Sequence, residues 1–116
     1  MACVHDAGLD ELSLYIDKEF NGSVSTEGLA DITNEDDLIF GAGRYDPFNG
    51  QIDEVRIWNI ARTDVQIEDK ATRSIEGDET GLIGYWTFDE GVGSVVTDFA
   101  GDPQYGVLEK GVYWTD

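Results

Sequence analysis

The chain has 116 residues and a mass of 12.8 kDa, which is enough for one domain and too little for two. Seven lysines and arginines against 25 aspartates and glutamates give a formal net charge of −18, which disfavours nucleic acids and anionic membranes as partners. Hydrophobic residues make up 41% of the chain, more than a disordered acidic tail carries, so we expect it to fold. The single cysteine, Cys3, excludes an internal disulfide and a thiolate zinc site, and we expect it to be a small buried residue.

The first patterned segment predicts a β-hairpin. Leu12, Leu14 and Ile16 share one face of a strand by alternation, which is typical of a half-buried strand. Residues 17–22 are turn formers, and residues 23–25 are the expected return strand.

The middle of the chain predicts two further strands. An apolar run over residues 38–43 follows an acidic loop and is expected to be the first of them. Residues 51–59 are the most strongly patterned segment, with Val55 and Ile57 on one face. Ile52 is out of phase with that face, so either a β-bulge separates it from Val55 or it packs on the opposite side, and we favour the bulge.

Residues 63–73 predict the one helix of the chain. Thr63 and Gln66 stand at the spacing of a capping box, in which each side chain satisfies a backbone N–H at the start of the helix. Ile67 and Ala71 are one helical turn apart and would share a face. The helix is short and is expected to act as a connector.

The last third of the chain predicts several short strands separated by Asp, Gly and Pro turns. Residues 82–88 read as a strand covered on both faces, and the other expected strands are 94–97, 105–108 and 111–114. Turn signals about every 8–12 residues are typical of an all-β sandwich or barrel.

Three segments resemble laminin-G-like, concanavalin A-like lectin/glucanase domains. Residues 48–59, followed by the predicted helix, resemble the end strand and helix of that family. Residues 12–17 resemble its LYxDG hairpin, and residues 81–91 resemble its YWxFDEG strand. The resemblance implies an antiparallel β-sandwich of the jelly-roll type with one short helix, and the proteins of this family are mostly extracellular.

The resemblance further implies that residues 1–116 form a single partial domain. Residues 1–74 correspond to the C-terminal half of the family domain, residues 75–116 are additional terminal strands, and the family's earlier strands have no counterpart here. Because a half-sandwich leaves sheet edges uncovered, we expect either a homodimer completed by strand exchange or a monomer in which the strands from residue 82 onward fold back, and we favour the homodimer. Such a fragment fits a gene cassette or a piece of a longer extracellular protein, and the chain shows no signal peptide pattern.

Catalysis is not expected. The resemblance includes retaining glucanases, which use a strand of the form ExDxxE, and the nearest segment, residues 51–56, lacks the first and last of these acids. His5 is the only histidine and has no nucleophile motif near it. A glycoside hydrolase remnant is therefore the least favoured interpretation.

Calcium is the one cofactor candidate, although the fold is not expected to require any cofactor. The resemblance implies a structural calcium near the aspartate of the end strand, Asp53, with Asp89 and Asp98 as companions. The alternatives are that these are solvated turn acids, or that Asp53 accepts backbone hydrogen bonds at a bulge.

The favoured function is a non-catalytic binding module for carbohydrate or for a protein surface. Carbohydrate binding needs exposed aromatic rings beside polar groups, and Tyr45, Tyr105 and Trp114 lie near predicted loops. Trp58 and Trp86 lie in apolar strands and are expected in the core or in an interface. The alternative from another class is a structural module that assembles with itself.

Overall fold

The computed structural model describes residues 1–31, 33–42, 46–70 and 75–115, with the side chain of Lys70 left aside. Its elements, in chain order, are β1 (Ala2–Asp6), β2 (Glu11–Ile16), β3 (Glu19–Ser25), β4 (Val55–Trp58), α1 (Asp64–Lys70), β5 (Leu82–Trp86), β6 (Val95–Val96) and β7 (Gly106–Val107). The predicted all-β fold of antiparallel sheets with one short helix is confirmed for these ranges. No helix within them is long and apolar enough to cross a membrane.

The chain divides into two compact units. Unit 1 consists of Met1–Ile32 and Trp58–Gly81, and unit 2 consists of Thr33–Ile57 and Leu82–Asp116. Unit 1 contains the three-stranded sheet β1-β2-β3 and helix α1, whereas β6 pairs with β7 in unit 2 and β4 pairs with β5.

The predicted hairpin of unit 1 is confirmed, but its turn is shorter than expected. Asp17 and Lys18 alone form the turn, with φ angles of 51° and 74°. A two-residue turn with positive φ at both positions matches the right-handed twist of the flanking strands, so the return strand begins at Glu19 and the predicted turn over 17–22 is wrong. A third strand, β1, precedes the hairpin and was not predicted.

The buried face of β2 is the opposite of the one that its apolar pattern indicates. Leu12 and Ile16 do share a face, but the buried residues are Ser13 and Tyr15, and Ile16 is exposed. The cause is helix α1, which packs against β3 and begins at Asp64, whose Oδ1 accepts a 2.7 Å hydrogen bond from the Tyr15 hydroxyl. The helix therefore covers the Tyr15 side of the sheet.

Cys3 is exposed, so the prediction of a buried cysteine is wrong. It pairs with Leu14 in the β1-β2 register and therefore lies on the sheet face away from Tyr15.

Helix α1 begins as the sequence predicts. The Thr63 backbone N–H donates to Gln66 Oε1 at 3.0 Å, and the Gln66 N–H donates to Thr63 Oγ1 at 3.3 Å, which is the reciprocal capping box. The helix reaches Lys70, and the predicted continuation over residues 71–73 lies outside the described residues.

The core of unit 2 forms around β5. Leu82, Tyr85 and Trp86 are buried, whereas Ile83 is exposed, so the predicted cover on both faces holds for β5 except at Ile83. The Trp86 ring lies so close to Gly84 that a Cβ there would be 2.5 Å from a ring atom, which explains the glycine inside this strand.

Three strand predictions in unit 2 need correction. Residues 38–42 form no strand, because Gly41 has a φ of 81° and its carbonyl accepts the Phe48 N–H instead of pairing with a strand. Strand β4 begins only at Val55, because the preceding Glu54 has a φ of 51°, and Ile52 therefore precedes the strand instead of flanking a bulge. Residues 111–114 form no strand either.

Candidate functional site

Asp98 is a buried carboxylate that organises the chain around β5. Its Oδ1 accepts the backbone N–H groups of Tyr85 and Ala100, both at 2.9 Å, and its Oδ2 accepts the N–H of Gln104 at 2.8 Å. The side chain is only 4% exposed, so these three donors are what compensates its charge in place of water. Asp98 thus joins β5 to the turn over residues 98–104.

The two other predicted metal ligands lie apart from this arrangement. Asp53 and Asp89 are exposed, and Asp53 Oδ1 accepts the backbone N–H of Glu54 at 2.9 Å. Within the described ranges, no group of three or more His, Cys, Asp or Glu side chains is placed to hold a metal ion. The structure therefore does not bring Asp53, Asp89 and Asp98 together, and calcium binding stays a prediction.

Sequence reasoning missed a cluster formed by Glu54, Arg56 and Tyr85. The Tyr85 hydroxyl donates to the Glu54 carboxylate, lying 3.2 Å from Oε1 and 3.1 Å from Oε2. Arg56 forms an ion pair with Glu54 Oε2, and its guanidinium lies 5.4 Å from the centre of the Tyr85 ring. The spacing of Glu54 and Arg56 signals a pair on one strand face, but no local signal points to Tyr85, which lies 31 residues away.

The cluster holds Tyr85 as a hydrogen-bond donor. Burial, followed by the hydrogen bond to Glu54 and its negative charge, raises the pKa of Tyr85, and Arg56 partly opposes this effect. The phenol therefore stays protonated at neutral pH, and the carboxylate of Glu54 is engaged by both neighbours. This arrangement joins the start of β4 to β5.

The aromatic residues that the sequence predicts to bind carbohydrate differ in how exposed they are. Tyr105 is 64% exposed, and Trp114 is half-buried, with its indole N–H donating to the Gly93 carbonyl at 2.9 Å. Tyr45 lies outside the described residues. Tyr113, which sequence reasoning passed over, is 78% exposed. Of the strand tryptophans, Trp86 is buried as predicted, and Trp58 is half-buried under the Arg62 guanidinium at 4.0 Å.

The face of β1-β2-β3 away from Tyr15 carries apolar side chains from all three strands. We call it the apolar sheet face and define it by Cys3, Leu12, Leu14, Ile16 and Val24. The register pairs Cys3 with Leu14 and Leu12 with Val24, so these side chains are cross-strand neighbours. Cys3, Ile16 and Val24 are exposed, and the two leucines are half-buried. Three of the five side chains of this surface are thus open to a partner.

Comparison with known proteins identifies the family. Residues 1–68 match a laminin-G-like family model described as the concanavalin A-like lectin/glucanases superfamily. No curated protein and no solved structure matches the chain at a significant level. Since the match covers more than half of the 116 residues, the chain belongs to the concanavalin A-like lectin/glucanases superfamily, and the resemblance read from its motifs is confirmed.

Proposed function

We propose that this member of the concanavalin A-like superfamily is a non-catalytic binding module that recognises a protein surface. The observation that carries the proposal is the apolar sheet face, on which apolar residues of three neighbouring strands are cross-strand neighbours and three of the five are exposed. Contiguous exposed apolar surface on a folded protein commonly marks an interaction site.

The size of this face supports a reversible contact. Three strands about 4.8 Å apart, each with about six residues at about 3.3 Å, give a face on the order of 300 Å². A partner that covers it would bury about 600 Å² in total, well below the roughly 1,200 Å² at which stable interfaces begin. The face therefore suits a transient binding function better than a permanent assembly.

The surroundings of Glu54 and Asp98 support the proposal that the module is non-catalytic. A retaining glycosidase needs two carboxyl groups about 5–5.5 Å apart, one acting as nucleophile and one as acid. The Glu54 carboxylate is instead held by Arg56 and Tyr85, and Asp98 is held by three backbone donors. Both carboxylates are thus engaged by groups of the protein itself.

The proposal is tested with peptides and sugars in parallel. Arrays of random peptides about ten residues long, the length of a segment that crosses the sheet, and of glycans are probed with the wild type, Val24→Thr and Val107→Thr. Val107 is the matched control, because it is equally an exposed valine on a strand, in unit 2. We expect peptide binding that Val24→Thr weakens and Val107→Thr leaves unchanged. Binding to glycans alone, or peptide binding indifferent to Val24→Thr, would contradict the proposal.

Carbohydrate recognition is the second candidate, and Tyr105 and Trp114 are the observation that favours it. An exposed phenol and an indole fixed by its hydrogen bond to Gly93 are side chains on which sugar rings stack. The measurement is the change in intrinsic tryptophan fluorescence on titration with soluble β-glucan oligosaccharides. We expect the signal in this case to disappear in Trp114→Ala and to persist in Val24→Thr.

Self-assembly as a homodimer is the alternative from another class. In the described part of the chain β1 pairs only with β2, so its other edge is available for a strand of a second copy. The net charge of −18 on each copy opposes this pairing at low salt. Light scattering decides the matter: a mass of twice 12.8 kDa that persists on dilution supports the homodimer, and a mass of 12.8 kDa at high concentration contradicts it.

A further inference from the structure

We propose that the occupant of the apolar sheet face is a cationic, amphipathic segment of a partner protein, an inference that rests on the proposed binding function. Its apolar side chains cover the aliphatic centre of the face, and its lysines or arginines lie against the two acidic ends of the sheet.

Acidic residues stand at both ends of the sheet. At the end where β1 turns into β2, Asp10 lies in the turn and Glu27 follows β3, and both are exposed. At the other end, Asp17 lies in the β2-β3 turn and Glu19 pairs with Ile16, so that its side chain shares the apolar sheet face. An apolar centre between two negative ends favours a ligand that is apolar in its centre and positively charged at both ends.

The single cationic side chain of residues 1–31 does not offset this charge. Residues 1–31 contain seven acids and a single lysine, Lys18. Lys18 lines a shallow open depression together with Val65, Glu68 and Asp69 of helix α1, so two further acids lie in its neighbourhood. His5 pairs with Leu12 and therefore faces the occupant, with its ring Nε2 3.3 Å from Thr26 Oγ1.

A second copy of the chain fits this face less well than a cationic partner. Two copies packed face to face would bring four acidic ends into contact, and like charges across an interface cost binding free energy. The total buried area of about 600 Å² is too small to offset that repulsion in a stable dimer. A segment with basic ends removes the repulsion and adds attraction.

The test uses three labelled synthetic peptides of about ten residues, a length that spans the sheet. All have alternating valine and threonine in the centre, and their ends carry lysine, glutamate or serine. Fluorescence anisotropy is measured at about 0.01 M and about 0.15 M NaCl, between which the Debye length falls from about 30 Å to about 8 Å. We expect the lysine peptide to bind most tightly and to lose about tenfold in affinity at the higher salt.

Two variants assign the binding to this face. Val24→Thr keeps the strand shape, removes apolar surface and should weaken all binding, whereas Val107→Thr should not. The double variant Asp10→Asn and Asp17→Asn removes one negative charge from each end and should reduce the salt dependence. Asparagine is chosen because it tolerates the positive φ of 51° found at both positions. Asp102→Asn, an exposed acid of unit 2, is its control.

The outcomes separate this inference from the function on which it rests. If the three peptides bind equally and Val24→Thr weakens them all, the binding function holds and the cationic partner is wrong. If no peptide binds, both are wrong. If light scattering shows a dimer that Val24→Thr dissociates, the occupant is a second copy, and the inference is overturned.

Discussion

In unit 1 the sheet buries Ser13 and Tyr15 and leaves much of the apolar sheet face exposed. In unit 2 strand β5 buries Tyr85 and Trp86 around the carboxylate of Asp98. Both units bury a polar side chain, but Ser13 in unit 1 donates one hydrogen bond to Glu11, whereas the Asp98 carboxylate in unit 2 accepts three backbone N–H groups. This difference predicts that substitutions in the two units affect different properties of the protein. Substitutions around Asp98 should affect folding, and substitutions on the apolar sheet face should affect binding.

The largest effect is expected for Asp98→Ala. The substitution leaves the N–H groups of Tyr85, Ala100 and Gln104 without their acceptor, and an unpaired buried donor costs about 1–3 kcal/mol. We expect the free energy of unfolding to fall by about 3–5 kcal/mol in urea titrations. Asp53→Ala is the matched control and should change it by less than about 0.5 kcal/mol, because Asp53 is exposed. Equal effects of the two variants would show that Asp98 does not organise unit 2.

A smaller loss is expected for Gly84→Ala. The new Cβ would lie 2.5 Å and 2.7 Å from atoms of the Trp86 ring, so the buried indole must shift, at a cost of about 1–3 kcal/mol. Gly22→Ala in β3 is the control, because a Cβ there meets nothing within 4 Å. The measurement is the midpoint of urea unfolding. A Gly84→Ala variant as stable as Gly22→Ala would contradict the close packing of Trp86.

What the sequence predicts well is what short spacings determine. The capping box of Thr63 and Gln66 needs residues three positions apart, and the hairpin needs turn formers between two short strands, although its turn proved shorter than predicted. The family, too, follows from contiguous motifs, and residues 1–68 confirm it. These features do not depend on the rest of the chain.

What the sequence predicts poorly depends on partners far along the chain. Which face of β2 is buried depends on the contact between Tyr15 and Asp64, two residues that lie 49 positions apart in the sequence. In the sequence, Asp98 is one of 25 acidic residues and lies in a predicted turn. Its role follows from the fold, which places the Tyr85 N–H 2.9 Å from its Oδ1. The apolar run beginning at Leu38 fails to form a strand because strand formation requires a pairing neighbour.

The third effect, about 1 kcal/mol, is expected for Thr63→Ala. The variant removes the hydroxyl that accepts the Gln66 N–H, so the first turn of α1 loses one side of its capping box. Thr63→Ser keeps the acceptor and should stay close to wild type. Thermal unfolding followed by circular dichroism measures the difference. A serine variant as destabilised as the alanine variant would assign the effect to the lost methyl group instead of the cap.

The smallest effect is confined to alkaline pH and concerns Tyr85. Because its pKa is raised in the folded protein, the unfolded chain releases the phenol proton first, at about pH 10. The stabilisation is therefore complete below that pH and declines as the pH rises towards the folded pKa. The free energy of unfolding of the wild type, measured in urea, should fall over this pH interval. That of Tyr85→Phe should fall less steeply, because phenylalanine has no proton to lose. Tyr113→Phe, at an exposed phenol, is the control and should follow the wild type. If the stability of Tyr85→Phe declines as steeply as that of the wild type, the raised pKa of Tyr85 does not contribute to the loss of stability at alkaline pH.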